Sequence, residues 1–155
     1  MTLRQQFGTG LNEAVKSKEK RRISTLRLIN AAVKDRDIAA RTSGKDEGVG
    51  DDYIIEILAK MVKQREESVK TYEEADRMDL VEQESEEINI IREFLPKQLS
   101  EVEMQKACVE IIEEIDADGL KDMGRCMGLL KERYPGRMDF SRASAAVKGR
   151  LNARS

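Results

Sequence analysis

Histidine and tryptophan are absent from the 155-residue chain, and only two cysteines and two prolines occur. Without histidine there is no Ser-His or Cys-His nucleophile pair. Two thiols without histidine also cannot close a zinc site built from the usual nitrogen and sulfur ligands. Cys108 and Cys126 fall at apolar-periodic positions, where a free cysteine behaves as a small buried hydrophobe, so no disulfide framework is expected. Aromatic residues make up only 4%, too few to supply the exposed rings that stack on single-stranded bases. No GxxxxGK[ST] phosphate loop occurs, no GxGxxG follows a strand, and no element reads as a DNA sequence reader. No stretch approaches the roughly 20 apolar residues of a membrane span, and Met1 to Lys18 lacks the apolar centre of a signal peptide. The expectation is a cytoplasmic chain with no membrane contact, no cofactor, no metal and no catalytic residues of its own.

What the chain has is charge, 37% of its residues. Much of it comes as adjacent carboxylates: Asp51-Asp52, Glu66-Glu67, Glu73-Glu74, Glu86-Glu87 and Glu113-Glu114. Neighbours in sequence do not face each other on a helix, so these pairs read as solvated faces or caps rather than as a general acid with its base. The apolar residues recur at helical spacing. Leu3, Phe7, Leu11 and Val15 form one stripe of a first helix despite Gly8 and Gly10. A second helix over about 18–42 buries Ile23, Leu26, Ile29, Asn30 and Val33, and the polar, glycine-containing stretch 43–50 ends it as a mobile loop. Asp51 or Asp52 caps a third helix to about Ala75, with Ile54, Ile57, Leu58, Met61, Val62, Val69 and Tyr72 inward. A fourth spans roughly 79–95. Its start is solvated by Glu82, Glu84, Glu86 and Glu87, its apolar end is Ile88, Ile91, Phe94 and Leu95, and Pro96 stops it.

Ser100 and Glu103 then spell a capping box for a fifth helix, to about Asp116, that buries Met104, Cys108, Ile111, Ile112 and Ile115. Asp118-Gly119 makes a turn. A sixth helix, near 123–133, carries Met123, Met127 and Leu130 on one side and ends before Tyr134-Pro135-Gly136. Asp139 caps a seventh with Phe140, Ser144, Val147 and Leu151 on one stripe. Gly124 and Gly128 spell GxxxG, which outside a membrane reads as close helix packing or helix-end geometry. The fold class is therefore all-α: an N-terminal helical bundle or hairpin array, residues 1–96, followed by a small three-helix domain, residues 97–155.

A net charge of −2 conceals segregation. Residues 1–45 carry 11 Lys/Arg against 4 Asp/Glu, residues 46–118 carry 8 against 23, and residues 119–155 carry 9 against 3. Acidic helices docking on basic ones would explain this, and so would basic patches left free for an anionic partner. The candidate RNA contacts are Lys121, Arg125, Lys131, Arg133, Arg137, Arg142, Lys148 and Arg150, with Arg154 beside them. A secondary basic stripe, Lys20, Arg27, Lys34 and Arg41, recurs every seven residues and so drifts only slowly round the second helix.

Three runs occur in order: Leu26-Arg27-Leu28-Ile29-Asn30-Ala31-Ala32-Val33-Lys34, Phe94-Leu95-Pro96-Lys97-Gln98-Leu99-Ser100, and Asp122-Met123-Gly124-Arg125-Cys126-Met127-Gly128-Leu129-Leu130-Lys131. On these the chain resembles the YqeY (GatB/YqeY domain) family over nearly its whole length. The resemblance implies a helical N-terminal domain joined to a three-helix tail. That tail is like the one ending the B subunit of glutamine-dependent aspartyl/glutamyl-tRNA amidotransferase, where it holds tRNA. The family description that comes with it is a carbon-nitrogen ligase with glutamine as amido-N-donor. That enzyme keeps its glutaminase chemistry in another subunit and its transamidation chemistry in a catalytic domain that has no counterpart here, so only the tail carries over. The expectation is a tRNA-binding accessory protein, with a tRNA amidotransferase or another translation-related protein as a possible partner. The alternative is a helical protein-protein interaction adaptor. A true amide-transferring enzyme is a third reading, for which no activated nucleophile or nucleotide site is visible.

Overall fold

Thr2 and Gln5 satisfy each other's free backbone donors across the first turn of α1 (Leu3–Ser17), a capping box that fixes where the chain begins to coil. The structure is a computed structural model and describes residues 1–44 and 48–154. Lys18 takes the left-handed conformation and ends α1, so α2 (Lys20–Arg41) starts two residues later than the spacing suggests. α3 (Asp51–Glu74) and α4 (Met78–Arg92) follow, then α5 (Glu101–Glu114), a 3-10 turn at Leu120–Asp122, α6 (Met123–Arg133) and α7 (Phe140–Arg154). The described residues contain seven α-helices and no strand; the fold is all-α. Residues 45–47 of the expected 43–50 loop lie outside the described residues.

The helices form two compact units, Met1–Leu95 and the residues from Pro96 onward. In the first, α1 to α4 close on Phe7, Leu26, Ile29, Ile54, Leu58 and Ile91. Phe7 and Phe94 meet edge to face at 5.1 Å between centroids, the arrangement their ring quadrupoles favour. In the second, α5, α6 and α7 pack pairwise around Cys108, Ile111, Ile112, Leu130, Val147 and Leu151. The Ser100–Glu103 capping box forms as expected. Asp139 Oδ1 accepts the Ser141 N–H at the head of α7.

Several expected positions shift. Val15 is exposed and Ala14 takes its place in the core, while Asn30 is exposed and Thr25 is buried, its hydroxyl donating to the Arg21 carbonyl. Neither Asp51 nor Asp52 caps α3: Gly50 holds that position and both aspartates lie in the first turn, where their charge still suits the helix dipole. α4 stops at Arg92 rather than at Pro96. Glu87, expected in solvent, is buried. Its carboxylate accepts from Arg65 Nε at 3.0 Å, and Glu84 lies 3.9 Å from the same nitrogen. Burial, reinforced by the Glu87 charge, pushes the Glu84 carboxyl up.

A polar clasp ties the start of α1 to the end of α2 and the approach to α3. Arg4 donates to both Asp37 oxygens, at 2.8 and 2.6 Å, and to the Val49 carbonyl; Asp37 Oδ1 accepts the Val49 N–H. Gly48 sits against it with φ +87°, and a Cβ there would lie 2.6 Å from Asp37 Oδ1, so the turn needs glycine on both counts. The Arg4 hydrogen bonds hold the Asp37 carboxyl down at about 2, from an ordinary 3.8. A carboxyl depressed on folding adds stability above its unfolded pKa and loses it as pH falls through the folded value. Asp37→Asn should therefore cost roughly 1 kcal/mol at neutral pH, a figure discounted because solvent screens the pair. Urea titrations should show the difference from wild type intact above about pH 4 and nearly gone at about pH 2.

Candidate nucleic-acid interface

The expected basic tail is not a sheet of free charge. From Pro96 onward the sequence holds eleven Lys/Arg against ten Asp/Glu, because the acidic α5 belongs to the same unit as the basic α6 and α7. Arg133 reaches Glu114 on α5 at 2.6 Å and holds that carboxyl below its ordinary range, and Arg142 reaches Glu101 at 3.0 Å. Arg150 donates to Gln105. Arg137 donates to the Lys97 carbonyl and lies 5.7 Å from the Tyr134 ring, while Arg154 donates to the Ala117 carbonyl. These five staple three short helices together, a role that sequence position alone does not separate from RNA contact.

Lys121, Arg125, Lys131 and Lys148 behave differently. Lys121 lies 3.5 Å from Asp118 with 76% of its side chain exposed, and Arg125 lies 3.3 Å from Asp122 with 65% exposed. Exposed pairs of this kind, those of Arg133 and Arg142 included, are worth about 0–1 kcal/mol; the difference is that Arg133 and Arg142 each bridge two helices, whereas Lys121 and Arg125 pair within three residues and tie nothing across the unit. Lys131 and Lys148 are exposed, and no ion pair holds them among the described residues. Asp122 is the anchor here: buried, it accepts the Asp118 N–H at 3.1 Å through one oxygen and Arg125 through the other, which fixes the entry to α6.

On α6 the buried side is Cys126 and Leu130. The opposite side runs Gly124, Arg125, Gly128 and Lys131, with spacings of three and four that share one face, and Lys121 stands in the 3-10 turn just before it. Close packing does not explain the two glycines: each is exposed, and a Cβ built on either meets nothing within 4 Å. Gly149 on α7 is equally open, next to Lys148. Glycine inside an exposed helix costs about 1 kcal/mol against alanine, and nothing in the fold requires it here. The open positions bare the helix backbone between cations.

The secondary stripe is exposed along α2. Lys20, Arg27 and Lys34 form no ion pair among the described residues, and Arg41 adds its field to Asp37. Cys108 and Cys126 are buried, and burial pushes both thiols up, the environment of an inert core cysteine. Among the described residues no group of three or more His, Cys, Asp or Glu is placed to hold a metal ion, and no helix is long and apolar enough to cross a membrane.

Comparison with known proteins adds a family and its members. A family profile described as Yqey-like protein matches residues 4–151. An uncharacterized protein of Schizosaccharomyces pombe is 27% identical over 92 residues, covering 59% of this chain and 71% of that protein. Altered inheritance of mitochondria protein 41, mitochondrial, from Kluyveromyces lactis is 30% identical over 84 residues, covering 54% of this chain and 43% of its own. Its Candida glabrata namesake is 31% identical over 86 residues, 55% of this chain and 45% of that one. The matches thus span less than half of the mitochondrial relatives. Their names place those relatives in mitochondria and lend no support to the cytoplasmic expectation for this chain.

Proposed function

The chain belongs to the Yqey-like protein family, matched over residues 4–151, and from that premise we propose that its C-terminal three-helix unit is an RNA-binding module that holds tRNA by its phosphates. The observation that carries this is the open face of α6, where Arg125 and Lys131 alternate with two glycines at which an added Cβ would meet nothing, and Lys121 precedes them in the 3-10 turn. Phosphate contact needs cations that can leave their weak local partners, and a backbone bared at glycine lets a sugar-phosphate strand approach closely. The scarcity of aromatic residues fits recognition by shape and backbone rather than by stacked bases. The resemblance to the amidotransferase tail points to the same ligand. The proposal assigns the chain no amide-transfer chemistry and makes it an accessory to translation-related enzymes.

Salt titration of tRNA binding tests it. Arg125→Gln, Lys131→Gln and Lys148→Gln together should reduce the slope of log affinity against log salt by about 2–3, close to one unit for each phosphate that is no longer neutralised. Arg133→Gln and Arg142→Gln, which break staples instead, should leave that slope alone. Gly128→Ala should keep or slightly raise stability, since nothing fills the space, yet weaken tRNA binding. An unchanged slope in the triple variant, or unimpaired binding by Gly128→Ala, would remove the assignment.

A further inference from the structure

The second basic feature borders something the RNA reading does not use. Between the end of α1, the first half of α2 and the middle of α4 runs an open groove of about 700 Å³. Its apolar surface is Val15, Ile23 and Leu28, with Val15 50% and Leu28 45% exposed. Leu28 is a large apolar side chain exposed on α2, and Lys20, Ser24 and Arg27 of the same helix line the groove beside it. Single exposed leucines are ordinary. Here two exposed apolar residues, from different helices, line one groove together with Ile23.

The charges sort in one direction. Of the groove's ionised residues, Arg21 is paired with Glu86 at 3.1 Å and Glu87 with Arg65 at 3.0 Å. The cations without an ion pair among the described residues are Lys20 and Arg27. The groove therefore presents an apolar strip edged by positive charge, its one carboxylate already neutralised. An RNA backbone would find the cations but gain nothing from Val15, Ile23 and Leu28, and the lining holds no aromatic ring on which a base could stack. A peptide helix with an apolar stripe flanked by glutamates or aspartates matches both features, the helix-in-groove mode of recognition.

We propose that this groove docks an acidic amphipathic helix of a partner protein, with Leu28 and Val15 covered by its apolar stripe and Lys20 and Arg27 paired with its carboxylates. The surface lies in the N-terminal unit, so it stands or falls independently of tRNA binding by α6 and α7.

The full chain, labelled with ¹⁵N, would be titrated with a synthetic helix of about five turns carrying leucine at every third and fourth position and glutamate on the flanks. Saturable amide shifts should cluster at Val15, Lys20, Arg27, Leu28 and Gln83. Leu28→Gln, and separately Lys20→Glu with Arg27→Glu, should each weaken binding by about tenfold or more while leaving helical circular dichroism unchanged. Three results would overturn the proposal: no clustered shifts at millimolar peptide, an equal response to the same peptide with lysine in place of glutamate, or indifference to both variants. Shifts at these residues caused by tRNA and not by the peptide would make the groove a nucleic-acid surface instead. Concentration-dependent self-association that Leu28→Gln abolishes would make its occupant a second copy.

Discussion

Arg65→Leu should destabilise the unit of residues 1–95 by about 3–5 kcal/mol at neutral pH. The guanidinium is mostly buried between α3 and α4, donating to Glu87 at 3.0 Å and to the Met61 carbonyl at 3.3 Å, with Glu84 close by. Leucine leaves Glu87 buried and Glu84 half-buried with no cation between them. A broken surface pair would cost a few tenths of a kcal/mol; an uncompensated buried carboxylate costs far more.

The pair need not be better than an apolar contact, only better than half a pair, so Arg65→Leu combined with Glu87→Leu should recover most of the loss. Glu84 supplies an internal check of sign. Its carboxyl is pushed up by burial and by the Glu87 charge, so ionising it costs stability, and that cost disappears as pH falls below the ordinary carboxylate range. Glu84→Gln should thus raise the melting temperature at neutral pH and be neutral below about pH 4. Thermal melts at both pH values decide it. A destabilising Glu84→Gln at neutral pH would mean that the Arg65 contact outweighs the burial.

The helices and most of their inward residues were legible because they follow from spacing. Where spacing failed, the cause is geometric. A stripe taken at every fourth residue advances about 40° per step against a true helix. Over Leu3, Phe7, Leu11 and Val15 the drift reaches about 120°, which turns Val15 to the surface and brings Ala14 inward. Glu87 reads as solvated within its acidic run because its partner Arg65 stands 22 residues away on another helix. The same separation left docked and free basic charge undecided in the tail: Glu101 and Glu114, which hold Arg142 and Arg133, precede them by 41 and 19 residues. The GxxxG spacing was visible but its direction was not. Once Cys126 and Leu130 claim the inside of α6, the glycines must face outward.

Leu130→Ala should strip much of the stability from the C-terminal unit while α1 to α4 persist. Leu130 is fully buried among Cys108, Ile111, Ile112, Val147 and Leu151, and truncating a leucine in such a place costs about 2–5 kcal/mol, the transfer of its methyls plus the cavity they leave. A unit of about 60 residues has a total stability of roughly 3–9 kcal/mol at typical values per residue, so the loss consumes a large share of it or all. The N-terminal unit keeps its own core, built on Phe7, Leu26, Ile29 and Ile91. Hydrogen exchange read by mass spectrometry should show protection lost across α5, α6 and α7 and retained across α1 to α4. Since the cations proposed to meet tRNA are placed only by that small core and its arginine staples, tRNA affinity should fall with the protection although no charge has been altered. Loss of protection in both units together would show instead that the two cores fold as one, and that the staples hold α5 to α7 only with help from the rest of the chain.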